Sequence, residues 1–206
     1  LDNVRAALEW AERAGDTELG LRLAGSMGYY WMMRGHFREG RDWLERTLRK
    51  TAAAGPALDD PRARAMNLAG ALAAFQGDSD AASALLTESI RLAHVNEDWL
   101  RAGMALAALG LTELQRGNYA EAVARADEAI TLLLPIEGTE TPGPAALSRT
   151  YANLGRSAFA QRDFERATAA LQESLVRASA VGFIWGHGDT LRSLGDLARE
   201  QGDHEQ

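Results

Sequence analysis

The stretch Ala107-Ala-Leu-Gly110-Leu-Thr-Glu-Leu-Gln-Arg-Gly117-Asn-Tyr119-Ala-Glu-Ala122 decides the reading of this chain. It places one glycine inside an apolar helical run and a second seven residues on. A glycine inside a helix costs about 1 kcal/mol relative to alanine. The same placement recurs at Gly28, Gly70, Gly110, Gly155 and Gly195, in steps of 42, 40, 45 and 40 residues. Seven residues after each stand Gly35, Gly77, Gly117, Arg162 and Gly202. A repeated cost implies a repeated reason. For the first glycine of each unit the reason is a neighbouring helix too close for a Cβ. For the second it is a helix end that must turn through a left-handed residue.

The turn continues with Asp, Asn or His and often an aromatic, as in His36-Phe37, Asn118-Tyr119 and Asp163-Phe164. Small residues then follow on one helical face. Ala108-Leu109-Gly110, Gly117-Asn118-Tyr119, Ala122, Ala126 and Ala129 together resemble the tetratricopeptide repeat, as do Tyr151, Leu154-Gly155, Asp163-Phe164, Ala167 and Leu171. Ala69-Gly70, Gly77-Asp78, Ala82 and Leu86 repeat the offsets, and so do Gly28, Trp31, Gly35, Phe37, Gly40 and Leu44. The resemblance covers nearly the whole chain. The period of 40 to 45 residues exceeds the usual one of about 34, which implies longer helices and two longer connections. All five prolines fall in Pro56–Pro61 and Pro135–Pro144, between repeats, where proline breaks no helix.

The resemblance implies an all-α fold, a right-handed α-solenoid of antiparallel helix pairs. The expected organisation is a single repeat domain over 1–206. A half-repeat at 1–14 is followed by repeats at 16–51, 60–96, 98–134 and 143–181 and a half-repeat at 183–206. The first helix of each pair, A, is expected near 16–34, 60–76, 98–116, 143–161 and 183–201. The second, B, is expected near 37–51, 79–96, 119–134 and 164–181. Asp2 is the expected N-cap of the leading helix, with Val4, Leu8 and Ala11 on its inner face. The abrupt ends and the Leu1-Asp-Asn-Val-Arg start suggest a piece of a longer protein. Solenoids need caps over their last apolar face, so helix 183–201 is expected to expose apolar side chains, with self-association through the truncated ends.

Composition narrows the function. The formal net charge is −7 over 206 residues, which disfavours a nucleic-acid surface built from a basic stripe. There is no cysteine, so thiolate metal sites, thiol nucleophiles and disulfides are excluded. No apolar run approaches the ~18 residues of a membrane span. These features fit a cytoplasmic protein. A single lysine, Lys50, among 22 basic residues, with abundant alanine and glycine, has the flavour of a GC-rich bacterial genome.

Catalytic signatures do not assemble. Lys50-Thr51 follows Leu48-Arg49 inside a helix and lacks the glycines of a phosphate loop. His36, His94, His187 and His204 show no i, i+4 pairing for a metal. Trp185-Gly-His-Gly-Asp189 reads as a helix start with Trp185 packing, and Asp59-Asp60 and Asp127-Glu128 as helix start and solvated surface. No catalytic residue, cofactor or metal is expected.

In tetratricopeptide solenoids the A helices line a groove. With each mid-helix glycine as the reference, the groove positions here are Arg22, Tyr29 and Met32, then Arg64 and Asn67, then Met104, Leu111 and Leu114. Arg149, Arg156 and Phe159 follow, and then Asp189, Arg192, Asp196 and Arg199. Within Tyr29-Tyr-Trp-Met-Met33, core packing accounts for most side chains, with Tyr29 and Met32 expected to face the groove. The arginines either grip carboxylates or phosphates or serve as this chain's default polar residue. The Lys/Arg/Asn clamp of chaperone-binding members is not reproduced, since its first-repeat positions hold Gly25 and Tyr29.

Leu1-Asp-Asn-Val-Arg-Ala-Ala-Leu-Glu-Trp-Ala11 and Gly35-His-Phe-Arg-Glu-Gly-Arg-Asp-Trp-Leu-Glu45 carry a narrower resemblance. They are similar to the region after the ATPase module in large bacterial regulators of the LuxR and related signal-transducing ATPase types. That implies a sensor and protein-interaction domain of a transcriptional regulator, taking a protein or peptide partner or a small-molecule inducer. A stand-alone adaptor holding a peptide in its groove is the alternative, and an enzyme the third class. The segment itself is expected to bind neither nucleic acid nor membrane.

Overall fold

The computed structural model describes residues 1–137, 143–180, 182 and 184–202. Ten α-helices run through them: α1 Asp2–Ala14, α2 Thr17–Met33, α3 Phe37–Lys50, α4 Asp59–Phe75, α5 Ser79–Val95, α6 Trp99–Arg116, α7 Tyr119–Leu133, α8 Gly143–Ala160, α9 Phe164–Ala180 and α10 Ile184–Glu200. No strand occurs among the described residues. Each helix lies within one residue of its expected span at either end. Short 3₁₀ turns at Pro56–Leu58 and Leu134–Ile136 occupy the two proline-bearing connections. The chain divides into two compact units, Leu1–Arg101 and Ala102–Gln206, with the boundary inside α6.

The turns explain the second set of glycines. Gly77 has φ +76°, and the next backbone N–H, of Asp78, donates to Ala73 O at 3.0 Å. The same bond closes the turns at His36, Asn118 and Asp163. It satisfies an otherwise orphaned carbonyl at the end of each A helix. Arg162 keeps the geometry without glycine, at φ +60°. Asp78 and Asp163 then cap the next helix, accepting from Ala81 N at 3.2 Å and Arg166 N at 3.1 Å. At α1 the expectation fails. The N-cap is Leu1 with no side-chain bond, and Asp2 sits inside the first turn, where it accepts from Arg5 at 2.9 Å. One residue earlier the chain has no side chain that can accept, so the carboxylate serves the helix dipole and Arg5 instead.

In unit 1 the core gathers Leu8, Leu21, Trp31, Met32, Trp43, Leu44, Leu68 and Leu72 from α1 to α4. Met32 corrects the reading of the aromatic–methionine run: it is buried, while Tyr30 and Met33 are exposed. Gly28 lies against Leu68 of α4, so Met32, one turn on, points the same way. Tyr29 is half-buried at the edge of this core. A Cβ built on Gly70 would lie 2.6 Å from Leu86 Cγ. Beside that contact Ser89 Oγ donates to Ala63 O at 2.8 Å, both within the α4–α5 pair.

In unit 2 the α8–α9 pair repeats the device. A Cβ on Gly155 would lie 2.6 Å from Leu171 Cγ, and Ser148 Oγ donates to Ser174 O at 3.1 Å. Ser174 Oγ in turn meets Thr190 Oγ1 of α10 at 2.9 Å. Gly110 is looser, with Ala122 O 3.4 Å from its Cβ position, because α7 presents alanines there. At Gly195 the expected close neighbour is absent among the described residues: none of their atoms lies within 4 Å. Of the apolar side chains of α10, Leu191 is exposed, Leu194 half-buried, and Leu197 packs with Ala158, Ala167 and Leu171. The expected packing of Trp185 lies outside the described side chains.

Candidate interaction surface

On the A helices of unit 1, α2 and α4, the two candidate arginines behave differently. Arg22 is half exposed and pairs with Glu18 of its own helix at 2.8 Å. Arg64 lays its stem across Gly25, with Cδ 3.7 Å from where a Cβ would be, and donates from Nε to Gly25 O at 3.2 Å. Asn67 is buried and donates to Arg101 O at 3.3 Å. Met32 and Asn67 are therefore spent on packing, and Arg22, Tyr29 and Arg64 remain at the surface of this face.

In unit 2, Leu111 and Arg149 are half-buried on α6 and α8. Phe159 packs with Phe164 at 6.0 Å between ring centroids and belongs to the core edge. Arg156 and Arg192 are brought together by Asp189 of α10. Arg156 Nη1 lies 3.3 Å from Asp189 Oδ2, and Arg192 Nη2 donates to Asp189 Oδ1. Arg156 Nη2 also donates to Asn153 Oδ1 at 2.6 Å, and the Asn153 amide donates to Ala107 O at 3.3 Å. Asn153 thus anchors the guanidinium to α6. The sequence reading passed over Asn153. Its signal was available: an amide three residues before Arg156 on the same helical face.

The charge balance at Arg156 differs from that at four other shielded arginines, although Arg46 likewise shares its carboxylate, Glu12, with a second cation, Lys50. Arg41 faces Glu45 and Asp78, both at 2.6 Å. Arg101 faces Asp60 at 2.9 Å and Asp98 at 2.6 Å. Arg125 faces Glu121 and Glu128, and Arg177 faces Glu137 and Glu173 while lying over the Tyr151 ring. Even Arg116, 3.0 Å from Glu113, shares that carboxylate with a neutral amide, Asn118. Arg156 shares Asp189 with a second cation. Its Nε is closed off from solvent and has no partner among the described residues. In Arg41, Arg125 and Arg177 burial pulls the guanidinium down, but the paired carboxylates outweigh it, leaving each above the ordinary arginine range. At Arg156 burial wins: Asp189 answers it in part, Arg192 adds to it, and the group sits below that range.

Among the described residues no three histidine, aspartate or glutamate side chains gather in a way that could hold a metal ion. Among the described residues no helix is long and apolar enough to cross a membrane.

No family model matches the sequence, and no curated protein matches it. Solved structures do match in shape. BtubC (BKLC) from P. vanneervenii is similar over 98% of this chain and 83% of its own, with TM-score 0.71 and 16% identity. The apo form of RapI is similar over 99% of this chain, with TM-score 0.70 and 11% identity, and the chain spans 55% of its length. The nearly identical TPR-like repeats of a protein assigned as a kinesin light chain, from Podosopora anserina, match over 90% of this chain and 88% of theirs. That match has TM-score 0.64 and 14% identity. At such identities the likeness establishes the fold. The chain is an all-α array of TPR-like helix pairs, and glycine–leucine and serine–carbonyl contacts lock the registers of the α4–α5 and α8–α9 pairs.

Proposed function

We propose that this chain is a non-catalytic interaction scaffold that takes a protein or peptide partner on the A-helix faces of its units. The observation that carries the reading is the division of labour between the helices' polar groups. Buried hydroxyls and amides such as Ser89, Ser148 and Asn67 are satisfied within the fold. The A faces meanwhile keep Arg22, Arg64 and Arg192 at the surface. A surface of that kind, with no converging nucleophile and base in the sequence, suits recognition better than turnover.

The narrower reading is the sensor region of a cytoplasmic bacterial transcriptional regulator. It is supported by the resemblance of residues 1–50 to LuxR-type and signal-transducing ATPase regulators. The coding sequence on either side of this segment tests it. A Walker loop upstream or a helix-turn-helix elsewhere in the same reading frame is the expected result. A frame that encodes these repeats alone overturns it in favour of a stand-alone adaptor. For the scaffold reading itself, titration of a captured partner against Arg64→Ala and Arg156→Ala is decisive. Affinity should fall in at least one variant, and unchanged affinity in both would discard the A face. Substrate turnover by the purified chain would overturn the non-catalytic reading.

A further inference from the structure

Arg156 and Arg192 form, we infer, a subsite for a carboxylate group of the bound partner, on the α8–α10 face of unit 2. The inference rests on the reading of the A face as the interaction surface and gives that face a ligand chemistry.

Four shielded guanidiniums in this protein, Arg41, Arg101, Arg125 and Arg177, each meet two carboxylates. One carboxylate serves both Arg156 and Arg192, as Glu12 serves Arg46 and Lys50, but the Arg156 side chain is only 31% exposed where those two are 43% and 41% exposed. The cluster of Arg156, Asp189 and Arg192 therefore carries a net positive charge in a partly dehydrated place. A guanidinium removed from water without full compensation is costly, and an added carboxylate lowers that cost while making charge-assisted hydrogen bonds to both cations. The site is also pre-organised. Asn153 holds one edge of the Arg156 guanidinium from behind through its bond to Ala107 O. Arg192 is 70% exposed and free to swing from Asp189 to an incoming anion. The chain as a whole is acidic, with net charge −7, so this cationic pair is a local point of attraction for an acidic group on a surface that otherwise repels it.

The test uses the purified full chain and the Nε–Hε NMR resonance of Arg156, whose proton is shielded from solvent exchange. Two probes carry the carboxylate from its two possible sources. N-acetyl-glutamate amide presents a side-chain carboxylate, and N-acetyl-alanyl-alanine a C-terminal one. Saturable shifts of Arg156 at millimolar probe are expected, with the tighter probe identifying the source. Arg192→Gln should weaken binding about fivefold or more, as loss of one charge-assisted contact requires. Asp189→Asn should strengthen it, because the internal competitor is removed. That sign is one a merely structural role for Asp189 would not give. Shifts that only track sodium chloride at matched ionic strength overturn the subsite, as does weaker binding in Asp189→Asn. Saturation by inorganic phosphate but by neither carboxylate overturns the ligand class. None of these failures touches partner binding elsewhere on the A faces, so the scaffold reading stands or falls separately.

Discussion

Gly40→Ala and Gly195→Ala make the same chemical change in two helices, and the structure assigns them opposite signs. In α3 a Cβ on Gly40 would lie 2.7 Å from Trp31 Cβ, 2.9 Å from Cγ and 3.0 Å from Cδ2. Carbon atoms settle at about 3.5–4.0 Å, so the helices must part by several tenths of an ångström or the indole must move. Trp31 is 1% exposed and the clash begins at its own Cβ, so rotating the side chain does not relieve it. Overpacking of this kind costs typically about 1–3 kcal/mol, and a clash at a rooted atom belongs at the upper end. Alanine's helix propensity returns about 1 kcal/mol. The net expectation is a loss of about 2 kcal/mol, or roughly 4–8 °C in melting temperature for a chain of this size. Gly195 lies exposed in α10 with no described atom within 4 Å, so only the propensity gain remains. Its alanine variant should be more stable by about 0.5–1 kcal/mol. Circular dichroism at 222 nm, with heat and with urea, reads both. A neutral or stabilising Gly40→Ala would refute the close-approach explanation of the buried glycines.

Arg162→Gly should stabilise by about 0.5–1 kcal/mol, because a side chain at φ +60° pays a left-handed penalty. Its 3.4 Å pair with Glu200 is too exposed to offset that, and urea titration would detect the gain. Leu171→Ala should cost about 2–5 kcal/mol, and Gly155→Ala should be better tolerated in that background, since Leu171 is what its Cβ meets; a double-mutant cycle measures the coupling. Oxidation of Ser148→Cys/Ser174→Cys should form a disulfide readily in this cysteine-free chain, because the two hydroxyls lie 3.4 Å apart, whereas an Arg149→Cys/Ser174→Cys pair should not. Glu12, Glu39, Asp78 and Glu88 are held below the usual carboxylate range, the first three chiefly by hydrogen bonds from Lys50, Arg5 and Arg41 and the last by Arg91. Their contribution is full above the unfolded values of about 3.9–4.3 and is lost as pH falls through the lower folded ones. Melting temperature should therefore hold between pH 5 and 7 on the order of a plateau, and drop below about pH 4.

Much of the fold was legible because it is written in residues whose physics is local. A glycine at a left-handed turn, a proline between helices and an alanine at a crossing each declare their surroundings without a partner being known. The helix boundaries followed from these. What the sequence hid were the pairwise outcomes. Met32 looked like a groove residue by position, and only the seating of Leu68 on Gly28 turns that face of α2 inward. Gly195 obeys the lattice by spacing, yet no described atom lies within 4 Å of its Cβ position. The arginines were visible from the start, but their charge balance was not. Whether a guanidinium meets two carboxylates or half of one depends on residues up to 41 positions away, as Asp60 is from Arg101. Asn153 escaped notice for the same reason, since its role appears only when Ala107 O is seen to receive it.

The most direct test of the scaffold account is photo-cross-linking in the cells that make the protein. p-Benzoylphenylalanine would be placed singly at Arg22, Arg64 and Arg192 on the A helices, and at Arg49 and Val176 on exposed surfaces of the B helices. Cross-links to a common partner from the A-helix positions, with none from the B-helix positions, are the expected result. Equal labelling from both sets, or cross-links confined to Arg49 and Val176, would contradict an A-face interaction surface.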